Sequence, residues 1–191
     1  MTENIKEILE IISDILKNYD GIIGTILGMI VSFLLQNRGK LKIFIKKSYG
    51  EFYYKDNEGF PSVKAISSEI DYLVYKTELY LYNTSSDFKS IRDLKLNIFN
   101  EGTIIFTERL KDNSTTTYNN GFSSTREADV YNISPKNVRM LDLYCYISKE
   151  DLEKINCDNV LFEIEYTYCK NKIKKLELFK GRLEELQVEE A

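Results

Sequence analysis

Apolar residues recur along this chain with two different periods, and the change falls near residue 39. In residues 3–19, Ile5, Ile8, Leu9, Ile12, Ile15, Leu16 and Tyr19 return every three or four positions. Glu3, Lys6, Glu7, Glu10, Asp14 and Lys17 fill the opposite face. This spacing predicts an amphipathic helix over residues 1–20, with Thr2 as its N-cap. From Gly21 to Asn37 the pattern loses its polar side, because no charge interrupts the stretch between Asp20 and Arg38. Seventeen helical residues cover about 25 Å, the short end of what a bilayer core requires. Local thinning and the long side chains of Arg38 and Lys40 make up the difference.

Three environments compete for this stretch. A buried core helix is one, but such helices keep a polar stripe, and this segment is apolar all round. A secretory signal is another, but the leader is acidic and no small-residue cleavage site follows. The expectation is therefore a transmembrane helix over residues 21–37. Gly24 and Gly28 within it form a small-xxx-small pair, the spacing by which two helix backbones approach in lipid and a homo-oligomer forms.

Beyond residue 39 the period becomes two. Leu41, Ile43 and Ile45 alternate with lysines. Leu73, Tyr75, Leu79 and Leu81 alternate with Lys76 and Glu78. Leu94, Leu96 and Ile98 alternate with Asp93, Lys95 and Asn97. Leu141, Leu143, Cys145 and Ile147 form one face of a further run, and Phe162, Ile164, Tyr166 and Tyr168 alternate with Glu163, Glu165 and Thr167. One buried and one wet face is the mark of an antiparallel sheet. Ile173, Leu176 and Leu178 break strict alternation around Lys174, which predicts a bulge there. Turn signals fall at residues 56–59, 83–87, 100–102, 119–121 and 170–172, the last joining a hairpin. Ser148 caps a short helix from Lys149 to Ile155, with Asp151 three residues on. Seven to nine strands in about 140 residues predict a mainly β chain with an immunoglobulin-like β-sandwich. The predicted segments are thus a leader (1–20), a span (21–37), a basic junction with the first strand (38–48), the remaining sandwich (49–180) and an acidic, helical tail (181–191).

Charge refines this layout. The leader sums to −3, residues 21–50 to +5 through Arg38, Lys40, Lys42, Lys46 and Lys47, leaving −6 on the remaining 141 residues. By the positive-inside bias those five cations place the C-terminal domain in the cytoplasm and hold its start to anionic headgroups. An acidic domain is a poor partner for nucleic acid. Cys145, Cys157 and Cys169 are too few and too evenly spaced for a disulfide framework or a thiolate metal site, and they read as reduced structural residues.

Catalytic chemistry is thinly represented. The chain has no histidine, which removes Ser-His-Asp and Cys-His nucleophiles and His-based zinc sites. No phosphate-cradling glycine motif occurs, and no cofactor or metal is expected. Glu163 and Glu165 share one strand face about 7 Å apart; a glycosidase or a calcium site could use such a pair, but the alternation reads it as the solvated face of an amphipathic strand. Tyr80, Tyr82, Tyr144 and Tyr146 lie opposite the apolar faces of their strands, where tyrosine suits partner binding. The layout is similar to that of small bacterial proteins with a glycine-containing apolar helix, a basic junction and an immunoglobulin-like sandwich. The expected function is a single-pass, membrane-anchored binding or scaffolding module and not an enzyme. The alternative is a membrane-active effector whose helix self-associates, with the β domain as sensor.

Overall fold

A computed structural model of the chain describes residues 24–32, 39–55, 61–63, 70–155 and 158–186. The amphipathic leader, both ends of the expected span (residues 21–23 and 33–37), Arg38, the turn at 56–59, Cys157 and the last five residues lie outside the described residues. Residues 24–32 form a helix (α1), and all nine are exposed. Its apolar side chains are therefore not part of the sandwich core, which removes the buried-helix alternative for this piece. No helix among the described residues is long and apolar enough to cross a membrane.

The described residues between 41 and 181 supply twelve strands: β1 (Leu41–Lys55), β2 (Pro61–Val63), β3 (Tyr72–Asn83), β4 (Lys89–Asn100), β5 (Thr103–Arg109), β6 (Lys111–Asp112), β7 (Thr117–Asn119), β8 (Phe122–Ser124), β9 (Val130–Ile133), β10 (Val138–Ser148), β11 (Val160–Tyr168) and β12 (Lys172–Gly181). The count exceeds expectation because β2 and β6–β9 are two to four residues long, too short for alternation to register. One sheet has the order β2-β1-β3-β10-β6. The other runs β12-β11-β4-β5, with β9 also pairing to β4, and β7-β8 forms a separate hairpin. Every pairing is antiparallel.

Alternation decides which side of each strand is dry. Leu73, Tyr75, Leu79 and Leu81 of β3 and Leu141, Leu143, Cys145 and Ile147 of β10 face Ile91, Leu94, Leu96 and Ile98 of β4 and Phe162 and Ile164 of β11 in one core. Tyr75 and Phe162 join the two sheets, with ring centroids 4.9 Å apart, and Phe179 meets Phe162 edge-on at 6.0 Å. Asn97 departs from the expected wet face: it is buried and accepts a hydrogen bond from Thr107 on β5. A neighbouring strand thus covers what strict alternation assigns to water.

Loops are tied down by polar groups that burial would otherwise strand. The Asn83 side-chain amide donates to the carbonyls of Asp87, Ile133 and Ser134, and its oxygen accepts from the Ser85 N–H and hydroxyl. Asp112 accepts from Ser114 and from the Tyr131 hydroxyl at 2.8 Å, pinning β6 to β9. The two-residue turn between β4 and β5 has Glu101 and Gly102 at φ 47° and 82°, and Asn120 and Gly121 repeat this at 49° and 82° between β7 and β8. Positive φ at both central positions is the turn that matches strand twist. Ser148 caps α2 (Lys149–Leu152) through Asp151 as expected, although the helix stops three residues before Ile155. The bulge in β12 falls at Leu178, where pairing jumps from Phe162–Phe179 to Glu163–Glu177, and not around Lys174, which pairs with Tyr166 in regular register. The tail is a packed element up to residue 186: a 3-10 helix at Leu183–Leu186 buries both leucines, and Leu186 lies over Gly50.

Candidate functional site: a tyrosine-rich outer face

The outer face of the first sheet collects residues from three strands. Side by side across β1, β3 and β10 lie Lys42, Tyr82 and Val138; then Phe44, Tyr80 and Met140; then Lys47, Glu78 and Asp142; then Tyr49, Lys76 and Tyr144; then Glu51, Val74 and Tyr146; and finally Tyr53, Tyr72 and Ser148. All four tyrosines expected as partner-binding therefore share this face, in two groups. Tyr80 and Tyr82 lie toward residue 39, and Tyr144 and Tyr146 lie beyond the central charged row.

The second group is the larger aromatic cluster. Tyr53 stacks on Tyr72 with centroids 4.8 Å apart and planes 8° from parallel, and Tyr72 meets Tyr146 at 4.9 Å. Offset and tilted pairs of this kind add to the energy of their buried area. Burial pushes the Tyr53 phenol up to about 12, helped by its hydrogen bond to the Glu51 carboxylate, so the ring stays neutral and serves as a donor. Glu51 also accepts from Lys76 at 2.7 Å. The Lys47 ammonium lies 4.2 Å from the centre of the Tyr49 ring. Beside the cluster, Tyr53, Val74, Lys76, Asn113, Asp142 and Tyr144 line a shallow recess of about 210 Å³. Most of its polar lining groups are held by protein partners: Tyr53 and Lys76 both donate to Glu51, and Asn113 donates to Asp142 across the rim.

Tyr49, Tyr53 and Tyr72 were not singled out from the sequence. Tyr49 and Tyr53 follow Lys47 at even intervals, and that parity was the available signal. A bulge hid it, because pairing shifts between Ile45 and Lys47. The extra residue turns Lys46 and Lys47 to the same side. Lys46 bonds Glu78 at 2.6 Å, which raises the pKa of its ammonium, and lies over Tyr80.

The remaining candidates are dispersed. Lys40 and Lys42 are exposed at the start of β1. Gly24 and Gly28 lie on α1, where a Cβ at either would meet nothing within 4 Å. Glu163 and Glu165 are on the outer face of the second sheet, flanked by β4 and β12. Lys175 pairs with Glu163 at 3.0 Å, and neither carboxylate lines the recess by Tyr144 or a second one of about 260 Å³ between β5 and β10. That second recess is reached by Cys145, but burial pushes its thiol up to about 12 and keeps it from acting as a nucleophile. Cys145 and Cys169 are free thiols. No group of metal-ligating residues occurs among the described residues.

Two antiparallel sheets packed around one core define an immunoglobulin-like β-sandwich. The model of the YopI Ig-like domain family matches residues 39–179, and the chain belongs to that family. It is 25% identical over 161 residues to the SPbeta prophage-derived uncharacterized protein YopI of Bacillus subtilis (strain 168), covering 80% of this chain and 89% of the relative. Among solved structures it is similar to an uncharacterized beta-sandwich protein from Clostridium difficile 630, at 11% identity and a TM-score of 0.35 over 73% of this chain and 86% of that one. A structural-genomics target, SoR45, aligns at 10% identity and a TM-score of 0.31, over 78% and 87% of the two chains.

Proposed function

We propose that the chain is a membrane-tethered binding module that recognises a protein partner through the tyrosine cluster of its outer sheet face. The observation that carries this reading is the Tyr53–Tyr72–Tyr146 cluster beside a recess lined by Tyr53, Val74, Lys76, Asp142 and Tyr144. Rigid tyrosines bring contact area at little conformational cost and keep their hydroxyls available, which is why protein-binding surfaces are rich in them. The tether is α1 with its flanking apolar residues. Five of its side chains (Ile26, Leu27, Met29, Ile30 and Val31) are 49–66% exposed within two turns or so, and a helix apolar on all sides calls for an apolar surrounding. The cations after it favour a cytoplasmic sandwich.

A photo-crosslinking side chain at position 146 in cells tests the site. It should yield a discrete adduct that the same group at Phe88, exposed on a loop, does not. Tyr144→Ala with Tyr146→Ala should lower partner recovery about tenfold or more, as loss of central aromatic anchors does, while the melting temperature holds. Equal adducts from both positions would refute the assignment.

A second reading rests on Gly24 and Gly28, whose side of α1 is open to a neighbouring helix. On that reading the helix self-associates and permeabilises lipid. Dye release from vesicles that survives Gly24→Leu with Gly28→Leu would count against it.

A further inference from the structure

The end of the outer face nearest residue 39 differs in chemistry from the tyrosine cluster. Its first two rows put Phe44, Tyr80, Tyr82, Val138 and Met140 together. Phe44, Val138 and Met140 are 51–52% exposed, high for large apolar side chains that adjoin one another. Lys40 and Lys42 precede this corner, and the bulge delivers Lys46 and Lys47 to its other border. Lys40 and Lys42 leave one border of this corner basic, whereas at the other Glu78 pairs with Lys46 and Asp142 shares its row with Lys47. Aromatic and apolar groups with a basic border are the composition of surfaces that lie at the headgroup level of anionic bilayers.

Chain path fixes where this corner must be. Gly39 enters the domain against the backbone of the β3–β4 loop, where a Cβ would fall 2.1 Å from the Ser85 Cα. The Lys40 N–H donates to the Thr84 hydroxyl at 2.8 Å, and the Thr84 N–H returns a bond to the Lys40 carbonyl at 3.0 Å. From Ser32, the last described residue of α1, to this clamp the chain reaches at most about 25 Å even fully extended. Wherever α1 resides, the corner stays close to it.

We propose that this corner is a lipid-contacting surface that rests on an anionic headgroup plane and so tilts the sandwich, leaving the Tyr53–Tyr72–Tyr146 cluster free for its partner. The assignment rests on the tether reading. Lys40, Lys42 and Lys47 meet headgroup phosphates, while Phe44, Tyr82 and Met140 enter the interface.

The chain contains no tryptophan, so Phe44→Trp gives a single reporter at an exposed position. Full-length F44W in phosphatidylglycerol vesicles with brominated acyl chains should be quenched about twofold, as expected for a ring at the headgroup level. Phe122→Trp on the β7–β8 hairpin should be unaffected. Lys40→Glu with Lys42→Glu, or replacement of the lipid by phosphatidylcholine, should relieve the quenching while the chain still resists extraction by alkaline carbonate. Unquenched F44W in a carbonate-resistant chain would overturn the lipid surface and leave the tether standing. Quenching that is equal in phosphatidylcholine would overturn the anionic assignment. Extraction of the chain by carbonate would remove the tether, and this surface with it.

Discussion

Gly50 shows how one residue governs the fit of separate segments. A Cβ at this buried position would stand 2.7 Å from Leu186 Cδ2 and 2.8 Å from Leu73 Cδ1. The glycine lets the C-terminal 3-10 helix close over β1 and β3. Gly50→Ala should therefore destabilise the domain by about 1–3 kcal/mol, the usual cost of overpacking a core. Denaturant unfolding would measure it. Adding Leu186→Ala should make the combined loss smaller than the sum of the single losses, because the clash has lost one side. Neither the need for glycine nor the burial of Leu183 and Leu186 was legible in sequence, where the tail reads as an acidic, frayed end. The two leucines are three residues apart, as an exposed helix might equally have them, and only the fold supplies the surface they cover. Asn97 is the converse case. Its polarity marks it for water, yet β5 provides a hydrogen-bonding partner in a buried site.

At the scale of elements, alternation and turn chemistry were the most readable features. The long strands β3, β4, β10 and β11 and the Ser148 cap follow from spacing alone, since one dry and one wet face admits a single register. The asparagine- and glycine-containing turns were equally readable, because they demand positive φ. Strand order was not legible: it is set by contacts between segments distant in sequence, such as β3 with β10. The bulge at Lys46 hides the contribution of β1, Tyr49 and Tyr53, to the tyrosine face, whereas Tyr72 begins β3 with the same parity as Tyr80 and Tyr82 and is legible by the same alternation. Two turns of the same shape should respond differently to the same change. Gly102→Ala strains a turn between core strands and should cost about 1–2 kcal/mol, the penalty of a left-handed residue. Gly121→Ala carries the same strain, but β7 and β8 have no buried residue. Its effect should appear as local hydrogen exchange in that hairpin, with the global unfolding free energy unchanged.

For the whole molecule, the relation between α1 and the sandwich organises the account. The sandwich is complete without α1, whose apolar residues all remain exposed. The two parts are joined by a short connection that ends in a fixed entry at Gly39. A tether reading gives each part a role: lipid surrounds α1 and its neighbours, a basic, aromatic corner lies at the interface, and the tyrosine cluster faces outward for a partner. Fractionation of cells expressing the full-length chain with a C-terminal tag tests this most directly. The account predicts that the chain sediments with membranes, withstands an alkaline carbonate wash and is released by detergent. Recovery of the full-length chain in the supernatant without detergent would contradict it.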